Sequence, residues 1–111
     1  MEESVAVSSL AALAQGMRLR VFRALVGAGP QGMTPGALTA LLDVPASTLS
    51  FHLKGLMNAG LVSQQRDGRS LIYRVELDAV RQLVMFLLKD CCNGQPELCA
   101  PLLKDISKSC T

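Results

Sequence analysis

No cysteine occurs in the first 90 residues of this 111-residue chain; all four, Cys91, Cys92, Cys99 and Cys110, fall in the last 21. Thiols that merely fill a core are scattered along a sequence, so that role does not explain these. Histidine is scarce too. His52 stands alone, and no Ser/His/Asp set, glycine-rich phosphate loop or paired-carboxylate arrangement accompanies it, which argues against an enzyme. No apolar run is long enough to span a bilayer: Val5 to Ala14 is short and interrupted by serine. The acidic start Met1-Glu2-Glu3 is unlike a signal peptide, so a cytoplasmic protein with no membrane partner is expected. Linkers and internal repeats are not evident, and a chain of this length with half its residues apolar has the size and composition of one domain with a core.

Excess charge is also lacking. The net charge is +2, too small to indicate a nucleic-acid partner by itself, but its distribution is uneven. Residues 1–44 balance, as does the stretch from Lys89 onward. The surplus lies between them, in Lys54, Arg66, Arg69, Arg74 and Arg81 against Asp67, Glu76 and Asp78.

What is present is a succession of helical patterns. Leu10, Leu13, Ala14 and Met17 recur at helical spacing, and Leu19, Phe22, Ala24, Leu25 and Val26 form a second run that stops at Gly27-Ala28-Gly29-Pro30. Thr34-Pro35 opens a short third helix with Leu38, Leu41 and Leu42 as its buried stripe. Pro45 opens a fourth, in which Leu49, Leu53, Leu56 and Met57 face one way and Ser47, Thr48, Ser50 and Lys54 the other; Asn58-Ala59-Gly60 ends it. Leu61–Arg66 and Leu71–Val75 read as strands joined by Asp67-Gly68-Arg69-Ser70, since Asp-Gly is a strong hairpin signal. Asp78 is expected to cap a last helix running to Leu88.

Two helices linked by Asp43-Val44-Pro45, the second led by small polar side chains, have the form of a helix-turn-helix, and the hairpin adds a wing. The expected fold is mainly α with a two-stranded β-wing. An α-helix enters a major groove about 12 Å wide only behind compact side chains, which Ala46, Ser47, Thr48 and Ser50 supply. Lys54 one turn later is placed to meet a phosphate, and Arg69 at the wing tip, flanked by Arg66 and Arg74, offers a second grip. Phe51 and Tyr73 complete the candidate DNA-binding set. His52 is read as a partly buried, hydrogen-bonded side chain or a phosphate contact rather than a metal ligand or base. The last helix is apolar on almost every side, more than a small domain can bury, so a homodimer is expected through Val5, Leu10 and Leu13 of the first helix and Leu83, Val84, Leu87 and Leu88 of the last.

From about Leu13 to Val75 the chain resembles the winged-helix repressors of the ArsR/SmtB family. The resemblance is carried by Met17-Arg18-Leu19-Arg20-Val21-Phe22-Arg23-Ala24-Leu25, Ser47-Thr48-Leu49-Ser50-Phe51-His52-Leu53, Ala59-Gly60-Leu61-Val62 and Asp67-Gly68-Arg69-Ser70-Leu71-Ile72-Tyr73. It implies homodimers that hold operator double-stranded DNA when free of effector and release it when a toxic ion binds. Two effector sites of the family are missing. The positions of a cysteine trio before the recognition helix are Thr34, Gly36 and Thr39, and of a carboxylate–histidine site in the last helix only Asp78 remains, with Val80 in place of a histidine.

The terminal thiols look like those of relatives that sense arsenite at the end of the last helix. In a reducing cytosol such clustering points to metal binding or redox chemistry rather than a structural staple. Cys91, Cys92 and Cys99 supply three soft donors across a flexible Asn-Gly-Gln-Pro turn, which suits a three-connected As(III) centre; antimonite is left open, and no organic cofactor is expected. Cys110 is read as dispensable. The expected division is a DNA-binding and dimerisation domain over 1–92 and a cysteine-bearing tail over 93–111. Three alternatives remain: a zinc- or cadmium-responsive repressor, a thiol redox switch with a disulfide between Cys99 and Cys91 or Cys92, and a cytosolic thiol metal carrier that never touches DNA.

Overall fold

The computed structural model describes residues 1–89 and 93–109, so Cys91, Cys92 and Cys110 lie outside the described residues. The elements are helices α1 (Glu3–Leu13), α2 (Gly16–Ala28), α3 (Pro35–Leu42) and α4 (Ala46–Asn58), strands β1 (Val62–Asp67) and β2 (Ser70–Val75), and helices α5 (Leu77–Leu88) and α6 (Ala100–Ser109). Single 3₁₀ turns stand at Gly29–Gln31 and Pro96–Leu98.

Local chemistry sets most of these boundaries. Apolar spacing alone places Met17 with the first helix, but the chain breaks at Ala14 and Gln15. Gln15 adopts an extended backbone and its Oε1 accepts the Arg18 N–H at 2.8 Å, capping a new helix that takes Met17 with it. Thr34 caps α3 as its sequence suggests: Oγ1 accepts the Ala37 N–H at 3.2 Å, with Pro35 in the first turn. Asp43 closes α3 in the left-handed region, at φ 54° and ψ 54°, so that Val44 and Pro45 turn the chain directly into α4.

The two strands pair antiparallel from Val62 opposite Val75 to Asp67 opposite Ser70, leaving Gly68 and Arg69 as a two-residue turn. Gly68 supplies the positive φ, 63°, that such a tight hairpin requires. The base of the wing is tied to the α2–α3 connection. Met33 and Tyr73 exchange backbone hydrogen bonds of 2.9 and 2.8 Å, and Arg74 donates from Nε to the Pro30 carbonyl at 2.8 Å and from Nη1 to Gln65 Oε1 at 2.7 Å. Arg74, expected to flank the DNA grip, instead holds the wing in place.

The core gathers Val21, Phe22 and Leu25 of α2, Leu38 of α3, Leu49, Leu53 and Leu56 of α4, and Leu61, Val62 and Tyr73 from the wing. Leu41, expected in the buried stripe of α3, is 62% exposed, because an eight-residue helix turns only one side, that of Leu38, inward. Along α1 the buried positions are the small residues Ala6, Ser9 and Ala12, while Val5, Val7 and Leu10 remain exposed.

At α5 the expected cap is corrected. Glu76 occupies the cap position without a side-chain bond, and Asp78 sits inside the first turn, accepting from Arg81 Nη2 at 2.7 Å and Gln82 Nε2 at 2.8 Å. The Arg81 hydrogen bond, with a smaller contribution from Gln82, holds the Asp78 carboxyl below its ordinary value. Leu83 is likewise corrected: it is buried within the chain, against expectation of a place on the dimer surface. Val84, Leu87 and Leu88 are exposed, and α1 packs beside α5, so that their exposed apolar residues lie on neighbouring helices. The segment from 100 to 109 is a helix where a tail was expected, with Leu102, Leu103 and Ile106 exposed. Among the described residues no helix is long and apolar enough to cross a membrane.

Candidate nucleic-acid interface

The α3–turn–α4 unit leaves one face of α4 open. Ala46, Ser47, Ser50, Phe51, Lys54 and Asn58 are exposed at steps of three and four residues, while Leu49, His52, Leu53 and Leu56 are buried behind them. Thr48 is half-buried. This is a helix anchored by leucines and led by hydroxyls and an alanine, with its bulkier Phe51, 68% exposed, a turn further on. Arg66 and Arg69 of the wing are exposed as well. Lys54, Arg66 and Arg69 hold no ion pair among the described residues, so their charge is available to a polyanion.

Two members of the candidate set are removed from this surface. Tyr73 is only 9% exposed because β2 turns it onto the core next to the Met33 bridge. His52 is 7% exposed, one position round the helix from the open face, with its ring edge-on to Phe51 at 5.3 Å. Among the described residues its Nδ1 has no hydrogen-bond partner, where a hydrogen-bonded side chain or a phosphate contact was expected. Burial, and secondarily the positive charge of Arg18, hold the imidazole below its ordinary value, so the neutral form is favoured.

Arg18 itself was given no role by sequence reasoning, where it stood only within the Met17–Leu25 stretch of the resemblance. It reaches from α2 to α4 and lies over Gly55. The available signal was that glycine: in the interior of a helix it costs roughly 1 kcal/mol relative to alanine, so its presence calls for a steric reason.

The thiol segment is partly visible. Asn93 and Gly94 both take positive φ, 45° and 79°, an abrupt turn where the Asn-Gly pair suggested one. Cys99 follows the 3₁₀ turn, donating its N–H to the Pro96 carbonyl at 3.1 Å and accepting from the Leu103 N–H at 3.2 Å, which places it at the start of α6. Cys99 is disulfide-bonded. The other two members of the expected trio, Cys91 and Cys92, lie outside the described residues.

A helix-turn-helix domain family matches residues 13–65. The chain is 30% identical to the HTH-type transcriptional regulator YgaV of Escherichia coli (strain K12), over 74% of this chain and 81% of that protein. Among solved structures, an ArsR-like transcriptional regulator from Rhodococcus superposes with a TM-score of 0.72 at 24% identity, covering 93% of this chain and 92% of that one. A homodimeric winged helix-turn-helix DNA-binding domain from Mycobacterium bovis, described as a possible ArsR-family regulator, superposes with a TM-score of 0.64 at 23% identity, covering 81% and 82%. The chain therefore belongs to the family of helix-turn-helix transcriptional regulators, and its winged fold is the ArsR-like one.

Proposed function

We propose that this protein is a cytoplasmic repressor that holds operator DNA as a homodimer and releases it when As(III) binds Cys91, Cys92 and Cys99. The observation that carries the DNA-binding part is the open face of α4: hydroxyls at the leading end, Lys54 behind them, and the exposed Arg66 and Arg69 of the wing, which hold no ion pair among the described residues. The hydroxyls and the Phe51 edge meet bases, and the cations meet phosphates. Exposed apolar residues on α1 and α5, Val5, Leu10, Val84, Leu87 and Leu88 among them, support a second copy of the chain as the partner. A dimer presents two recognition helices to half-sites about 34 Å apart, so a small change near its axis misplaces both.

In sequence the vicinal cysteines come just after α5, the helix that carries much of that apolar surface. As(OH)₃ would react with three thiols, each S–H proton leaving with one arsenic hydroxyl as water while an As–S bond replaces the As–O bond, drawing the segment from 91 to 99 together and disturbing the α5 contact. Fluorescence anisotropy on a duplex from the protein's own upstream region tests this under reducing conditions. Binding should be tight without arsenite and lost with it. Cys91→Ser, Cys92→Ser and Cys99→Ser should each bind DNA and each fail to release, whereas Cys110→Ser should respond as the parent does. A series in which only Cys110 mattered overturns the site.

The disulfide at Cys99 favours a second reading. A sulfur already bonded to sulfur offers no thiolate to arsenic, so oxidation both blocks the metalloid and is itself a candidate signal. DNA release by oxidised, arsenic-free protein would select this redox switch over arsenite sensing.

A further inference from the structure

Arg18 is held in a way that lacks its natural counterpart. Its side chain crosses from the first turn of α2 to lie over α4, where a Cβ built on Gly55 would stand 3.2 Å from Nη1 and 3.3 Å from Cδ. The Nε is buried and unbonded, and no carboxylate or carbonyl takes the guanidinium among the described residues. Guanidinium offers five donors and no acceptor, and a partly buried charge without a partner is costly, so the position calls for an anion.

The surroundings specify which kind. Arg18, Phe51, Lys54, Gly55 and Asn58 line a cleft of about 340 Å³ that opens beside the exposed face of α4. A second cleft, lined in part by Ser8, Gly55 and Asn58, is also lined by the same arginine. Neither lining contains an acidic residue. Two cations and an amide thus converge on a recess along the second half of the recognition helix, where a helix seated in a major groove passes the bordering sugar–phosphate strand. We infer that this cleft is a seat for one backbone phosphate of the operator duplex, with Arg18 as its principal ligand and Gly55 as the opening that lets the guanidinium lie there. The inference rests on the operator-binding reading and assigns it a residue outside the helix-turn-helix and wing.

The test uses the full-length protein and duplexes carrying a neutral methylphosphonate at one backbone position at a time. In the parent protein one position on each half-site should weaken binding about tenfold, the size of a missing charge-assisted hydrogen bond. Arg18→Met keeps the stem and removes the charge: it should bind unmodified DNA about tenfold more weakly, be indifferent to that methylphosphonate, and show a salt slope shallower by about 0.9 for each phosphate it no longer neutralises. Arg18→Gln is a second variant that keeps a polar side chain but not the charge; it should show the same positional indifference. If Arg18→Met does not fold, Arg18→Gln decides. Parent protein that binds DNA, with folded variants that feel every methylphosphonate as the parent does, overturns the phosphate seat alone. Failure of the parent to bind any duplex overturns the operator reading and the seat together.

Discussion

At the scale of single residues the most constrained position is Gly32, which joins the α2–α3 connection to the wing. Its φ is 69°, and a Cβ there would overlap the Tyr73 carbonyl oxygen and stand 2.7 and 2.8 Å from the side chains of Arg74 and Ile72. The flanking contacts are those that seat the wing: the Met33–Tyr73 pair and the Arg74 bond to the Pro30 carbonyl. Gly32→Ala should therefore cost roughly 2–3 kcal/mol, from left-handed strain together with the displaced backbone, and lower the thermal midpoint by several degrees. Chemical denaturation checks the number, and faster hydrogen exchange at the Tyr73 and Met33 amides checks the mechanism. An unchanged midpoint would mean that the wing seat adjusts freely. None of this was legible in the sequence. Tyr73 and Arg74 sit in a strand pattern that allows either face, and which of them turned inward was decided by a partner segment 40 residues earlier in the chain.

At the scale of elements, what could be read ahead and what could not divides by the range of the interaction. The α3 cap, the α3–α4 turn, the extent of α4 and the two-residue hairpin follow from Thr34-Pro35, Asp43, Pro45 and Asp67-Gly68, because each is set by chemistry within a few residues. The α1–α2 break hangs on a glutamine cap that apolar spacing does not register. Helix α6 was read as a tail although its pattern was local: Pro101 stands near its start, and Leu102, Leu103 and Ile106 alternate with Lys104, Asp105 and Lys108 at helical spacing. Its apolar face, like that of α5, is exposed. Leu87 is 53% exposed near the C-terminal end of α5, among the exposed Val84, Met85, Phe86 and Leu88, and a carboxylate there would be free in a monomer but buried against a second copy. Leu87→Glu should leave the thermal stability of the monomer within about 0.5 kcal/mol while shifting sedimentation from dimer to monomer. Operator affinity should fall with it, because one recognition helix then reads only a half-site. A variant that remained a dimer would move the interface away from α5.

At the scale of the whole molecule the proposed switch joins three separated pieces: the thiol segment after α5, the apolar α1–α5 surface, and the open α4 face. Leucines from α4 pack with α2, and α2 packs with α1, so a shift at the dimer surface has a continuous rigid route to the recognition helix. Such a route transmits only a difference in free energy. If As(III) lowers operator affinity by a factor, operator DNA must lower As(III) affinity by the same factor, with coupling of about 1–3 kcal/mol, or roughly 5- to 150-fold. The sign is fixed by the proposal: a metalloid that favours the released arrangement binds more weakly to the DNA-bound one. Titrating arsenite into reduced protein, free and then saturated with operator, should give a weaker apparent affinity in the second case by the factor measured for DNA release. Equal affinities would mean that the thiols bind arsenic without regard to the DNA face, and release would then need another cause. Arg18→Met adds a control at this scale, since removing one phosphate ligand lowers operator affinity in both states alike. Its arsenite coupling factor should match that of the parent even as its absolute DNA affinity falls.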